Sequence, residues 1–71
     1  MIKVHVILDN RMTREDLEYS GFNPSDYGKL HKIMGREYTG NLTDEQYTSL
    51  KTFVNMCPIG HLFKVYVCSR T

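Results

Sequence analysis

The sequence predicts a small α+β domain in which an N-terminal and a C-terminal strand pair in one sheet, with helices packed on its apolar face. Three observations carry that prediction. The chain opens on a β-branched apolar run, IKVHVIL, and nearly closes on a second one, LFKVYVC. Between them, three short stretches each place a capping residue and an apolar pair at helix-start spacing. With 71 residues, there is room for one core and one domain, near the lower size limit for unaided folding.

The first run, Ile2 to Leu8, is bounded by Asp9-Asn10 and reads as a strand. Ile2, Val4, Val6 and Leu8 alternate onto one face, wholly apolar and so the buried one; Lys3, His5 and Ile7 point the other way. Three helix starts follow. Thr13 caps a helix from Arg14, with Asp16 three residues on and Met12 facing Leu17. Asn23 caps one whose first residue is Pro24, with Asp26 three residues on and Phe22 facing Tyr27. Thr43 caps one from Asp44, with Gln46 completing a capping box and Leu42 facing Tyr47. In each, a side-chain oxygen satisfies an orphan backbone N–H and the apolar pair staples the first turn.

The first helix is expected to end near Ser20 with Gly21 as its stop. The second is expected to run to about Met34, with Tyr27, Leu30 and Met34 as its buried stripe and Gly35 as its stop. Gly28 inside it would cost about 1 kcal/mol relative to alanine, which suggests close packing there. Arg36 to Asn41 reads as a loop with a short extended piece at Glu37–Thr39. The third helix buries Tyr47, Leu50, Phe53, Val54 and Cys57, and Pro58 ends it. Leu62 to Cys68 is the second strand, with Phe63, Val65 and Val67 facing the core and Leu62, Lys64, Tyr66 and Cys68 facing away. The expected order is β-α-α-α-β.

Cys57, His61 and Cys68 raise the question of a metal site or a disulfide. His61 precedes the strand and Cys68 lies at its far end, on the order of 20 Å away at about 3.3 Å per residue. That separation rules out a shared ion and a disulfide, which needs close Cα atoms. Cys57 sits at a helix C-terminus, where the dipole disfavours a thiolate. Free thiols, no metal and no cofactor are therefore expected. The apolar opening run has no cleavage signature, and no segment reaches the ~20 apolar residues of a membrane span. The expectation is a cytoplasmic, reducing location. Absent alanine beside frequent asparagine, lysine and tyrosine suits an AT-rich coding sequence such as viruses and mobile elements carry.

No phosphate-binding glycine loop, zinc-protease helix or nucleophile elbow is present, and one small core leaves little room for a desolvated cleft. The chain is therefore not expected to be an enzyme. The net charge of +1 conceals a skew: residues 1–45 hold six Lys/Arg and all eight Asp/Glu, whereas residues 46–71 hold Lys51, Lys64 and Arg70 with no acid. The first functional expectation is a regulator, inhibitor or adaptor that binds a protein partner, or a second copy of itself, through Lys3, His5, Ile7, Leu62, Lys64 and Tyr66. A helix crossing that sheet face would instead make Ile7 and Leu62 ordinary core. The second expectation is nucleic-acid binding through a helix-turn-helix at residues 14–34, with Ser25, Lys29, Lys32 and Arg36 as a polar stripe on its second helix and His31 near it. Glu15, Asp16 and Glu18 on the first helix oppose that reading, because they would repel a phosphate backbone. A sheet-face RNA reader using Tyr66, Lys3 and Lys64 is a variant of the same idea.

Overall fold

Alternation along the first apolar run holds. In the computed structural model, which describes residues 1–70, β1 (Ile2–Leu8) buries Ile2, Val4, Val6 and Leu8. Then come α1 (Arg14–Ser20), a 3-10 turn (Pro24–Tyr27), β2 (His31–Met34) and β3 (Glu37–Leu42). The chain continues through α2 (Asp44–Met56), a second 3-10 turn (Gly60–Leu62) and β4 (Phe63–Arg70). All strand pairings are antiparallel, in the order β2-β3-β1-β4. The terminal strands do pair, as expected in an α+β domain. The order is nevertheless β-α-β-β-α-β, the split β-α-β arrangement of ferredoxin-like folds, with two α-helices and not three.

Both α-helices start where the caps place them. Thr13 Oγ1 accepts from Asp16 N at 3.1 Å and the Asp16 carboxylate accepts from Thr13 N at 3.2 Å. Thr43 and Gln46 form the same reciprocal pair at α2. Gly21, at φ 75°, ends α1 in the left-handed region that glycine enters without strain. Cys57 leaves α2 in extended geometry ahead of Pro58. The chain then turns so tightly that a Cβ on Gly60 would overlap the carbonyl oxygen of Val54.

The expected second helix is overturned. Asn23 caps only one 3-10 turn, which stops at Gly28 with φ 70°. A side chain on Gly28 would meet the Gln46 amide, so the close approach expected there is real but belongs to a turn pressed on α2. Beyond it the chain is extended, and Gly35-Arg36 is the two-residue loop of a hairpin whose closing pair is Met34 and Glu37. Gly35 takes positive φ at the first loop position, as primed hairpin turns require. Tyr27 and Leu30 reach the core, but Met34 is 63% exposed and Ile33 47%, so no helical stripe exists. The loop expected at 36–41 is mostly β3. Leu62 also departs from expectation: it ends the second 3-10 turn and is buried, and β4 starts one residue later. A register shift opposite Lys3 and Val4 leaves Cys68 unpaired in β4, a bulge that shifts the strand's end by one residue.

One core lies between the helices and one sheet face. Its buried members include Val4, Val6, Met12, Leu42 and Leu50, all near zero exposure. Phe22 organises its aromatic part. Its ring centroid lies 6.1 Å from Tyr27, 5.3 Å from Tyr38, 5.8 Å from Phe53 and 5.3 Å from Phe63. These distances fall within the range for favourable ring contacts. Among the described residues no helix is long and apolar enough to cross a membrane.

At the β1–α1 corner, Asp9 accepts from the Arg11 backbone N–H at 2.8 Å and from its Nε at 3.0 Å. The Arg11 side-chain hydrogen bond, followed by its backbone hydrogen bond, pulls the Asp9 carboxyl from 3.8 down to about 2. A depressed folded pKa contributes stability that is present above the unfolded value and lost as pH falls through the folded one. Carbon-detected NMR of the Asp9 carboxyl should therefore give a midpoint near 2, and Asp9→Asn should flatten the acid limb of stability below about pH 4. A midpoint at the ordinary aspartate value would contradict this geometry. Phe22 is half-buried, so Phe22→Ala should lower unfolding free energy by about 2 kcal/mol, below the range for a fully buried phenylalanine, read from urea denaturation, and Phe22→Leu by visibly less.

Candidate functional site

Because both α-helices pack on one side, the strands offer their other side without a covering element. The residues there follow from antiparallel register, in which directly paired residues share a face. One row across the sheet is His31, Thr39, His5 and Tyr66, and the next is Met34, Glu37, Ile7 and Lys64. A third row, on three strands only, is Asn41, Lys3 and Ser69. Lys3, His5, Ile7, Lys64 and Tyr66 are thus brought together as the sequence predicts. Leu62 is not among them: it is core, and its place on this surface is withdrawn.

The missing helix also rearranges the alternative site. Ser25 lies in the first 3-10 turn, Lys29 in the following loop, Lys32 in β2 and Arg36 in the hairpin turn. These four cannot share a helix face, so the helix-turn-helix geometry is absent. Lys32 pairs with the buried Tyr38 and so points to the helix side, while its neighbour His31 pairs with Thr39 and joins the open face.

Polar contacts order the centre of this face. His5 Nε2 lies 2.8 Å from Glu37 Oε1, with side chains 30% and 35% exposed, so solvent screens the pair. Nε2–H donates to the carboxylate, which fixes both side chains between β1 and β3. Thr39 Oγ1 donates to the Val4 carbonyl at 2.9 Å. Around this pair stand apolar groups open to solvent: Tyr66 is 50% exposed and Met34 63%, and Ile7 is half-buried.

Sequence reasoning missed Glu37, Thr39, Asn41, His31 and Met34. The signal was present in EYTGNL, where Tyr38, Gly40 and Leu42 alternate with Glu37, Thr39 and Asn41, and in the preceding Gly-Arg hairpin pair.

Two recesses mark the helix side of the molecule, more concavity than one small core suggested. One, about 290 Å³, lies between α1, β2 and the hairpin turn; the other, about 440 Å³, lies between the ends of the two α-helices and is lined by Tyr19, Phe53, Met56 and Cys57. Cys57 and Cys68 are both free thiols, Cys57 half-buried and Cys68 exposed. Comparison with known protein families, with curated proteins and with solved structures finds no match.

An uncovered face tolerates truncation. Tyr66→Ala and Glu37→Gln should each change unfolding free energy by no more than about 1 kcal/mol, measured by denaturant titration. A loss near that of Phe22→Ala would mean that the face is structural.

Proposed function

We propose that this chain is a non-enzymatic protein-binding module that docks a partner on the open face of its sheet and regulates, inhibits or bridges by occupying that partner's surface. The supporting observation is the four-stranded face without a covering helix, where Tyr66, Ile7 and Met34 are interleaved with Lys3, Lys64, Glu37 and His5. Tyrosine and methionine are side chains enriched at interfaces, and here they flank the central His5–Glu37 pair. The half-exposed Tyr66 is the main anchor.

A protein suits this face better than a single-stranded nucleic acid. Sheet-face RNA readers stack bases on aromatic side chains. Here the two central strands offer Lys3, His5, Ile7, Glu37, Thr39 and Asn41; their one ring, the His5 imidazole, is hydrogen-bonded to Glu37, and Glu37 would repel phosphate. The proposed setting is a reducing, cytoplasm-like compartment, where Cys57 and Cys68 stay as thiols.

A photo-crosslinking residue at position 64 on this face, compared with one at Lys51 on α2, tests the reading in extracts of the source cell. The expected result is a protein adduct from position 64 and none from position 51. Tyr66→Ala should weaken that partner's binding by about 2 kcal/mol, roughly thirtyfold. A dimer of this chain, seen by sedimentation and dispersed by Tyr66→Ala, would identify the partner as a second copy. Adducts to RNA, with binding that falls steeply as salt rises, would overturn the proposal, as would equal labelling from both positions.

A further inference from the structure

We infer that the recess between α1, β2 and the hairpin turn binds a small organic anion: a carboxylate or phosphate group carried on an apolar body. This goes beyond the sheet-face reading and stands apart from it, since the recess opens on the helix side.

Its lining divides by chemistry. Leu8, Met12, Leu17 and Tyr38 form an apolar floor, and Arg14, Lys32 and Arg36 supply three cations, with no carboxylate in the lining. The cations come from three separate places: α1, β2 and the hairpin turn. Their convergence is therefore a product of the fold and not of a charge run. Two acids next to lining residues in the chain are engaged elsewhere. Asp9 is held by Arg11, and Asp16 turns back onto the backbone of Thr13.

Arg36 is held in place before any ligand arrives. Its Nη1 donates to the carbonyl oxygens of Asp9 and Met12, and the remaining guanidinium N–H groups stay available. A fixed guanidinium loses little freedom on binding an oxyanion, and such charge-assisted bonds are the strong ones. Arg14 and Lys32 have no ion-pair partner among the described residues.

Tyr38 adds an independent observation. It is only 6% exposed and lines the recess, yet its hydroxyl has no protein hydrogen-bond partner among the described residues. No buried side-chain oxygen of the described residues is left unpartnered, so water reaches this hydroxyl, and an anionic oxygen in the recess would accept from it in place of water. The volume, about 290 Å³, suits a group of one ring or a short alkyl chain, at the small end of ligand pockets. The larger recess between the helix ends has no charged residue in its lining and serves as an internal control.

Amide NMR of the full chain tests this, with phenyl phosphate and hexanoate as probes against phenol and inorganic phosphate. Both amphipathic anions should give saturable shifts confined to residues 12–17 and 32–38. Phenol or inorganic phosphate alone should bind about tenfold more weakly. Arg14→Gln with Lys32→Gln should weaken phenyl phosphate about tenfold or more, and Tyr38→Phe about fivefold. Thermal unfolding checks that each variant folds, and Lys32→Gln alone replaces the pair if it does not. Absence of saturable shifts would overturn the inference. So would shifts at the sheet face or the second recess, an equal response to phenol or phosphate, or indifference to the charge variants. Loss of the crosslink at position 64 has no bearing on any of these readouts, so the two proposals fail separately.

Discussion

The structure depends on one ring. Phe22 contributes its side chain from the loop after α1, and four other elements close on it: the first 3-10 turn through Tyr27, β3 through Tyr38, α2 through Phe53 and β4 through Phe63. α1 has no buried residue of its own. It is kept on the sheet by Leu17, by Met12 before its cap, and by the phenylalanine just past Gly21. A chain with no tryptophan and few long helices gains core area mainly by such convergence, because large rings bury the most apolar surface per residue. Convergence also has a topological effect. The contacts that hold α1 and α2 all lie on one side of the sheet, and no further helix remains to cover the other.

The sheet explains why those contacts suffice. Two paired strands are marginal in water, and the hairpin of β2 and β3 extends the sheet to four strands around β1. With β3 on one side and β4 on the other, the backbone of β1 is hydrogen-bonded along both edges. That placement fits its fully buried Val4 and Val6. The outer strands are the ones shortened or bulged: β2 has four residues and a register shift, and β4 has the Cys68 bulge. Both features blunt an edge that would otherwise recruit further strands.

Those parts were legible where local chemistry and burial agree. The capping boxes at Thr13 and Thr43, the alternation of Ile2 to Leu8 and the Pro58 stop each have one physical reading. The segment from Pro24 to Met34 had two. Tyr27 and Leu30 lie three apart, which suits a helix face but equally a 3-10 turn followed by extended chain, and Asn23-Pro24 starts either. Gly28 decided it, since its positive φ is costly in a helix interior and is required where the chain presses on Gln46. Gly35 then acts as a hairpin glycine and not a helix stop. Leu62 was misplaced for a related reason: strict alternation was extended one residue past the strand's start into a turn, where period two no longer applies.

Misreading that segment had a chemical consequence larger than its length. Without β3, the open face carries lysines, a histidine, a tyrosine and aliphatic groups but no acid, a surface suited to a polyanion. With β3 in place, Glu37 sits at its centre bound to His5, and the face becomes mixed in sign. Lys32 and Arg36, expected on a DNA-facing helix, lie instead with Arg14 around the recess on the opposite side. The linear skew of charge, acidic before residue 45 and basic after it, therefore does not describe the molecule. Three cations from the acidic part of the chain line one recess, because the hairpin returns Lys32 and Arg36 to the start of α1. The helix side thus carries a local set of three cations over apolar floor residues, and the sheet face carries Lys3 and Lys64 against Glu37 around its tyrosine. Neutralising the recess and truncating Tyr66 should accordingly act on different ligands, since the sheet stands between them and they share no residue.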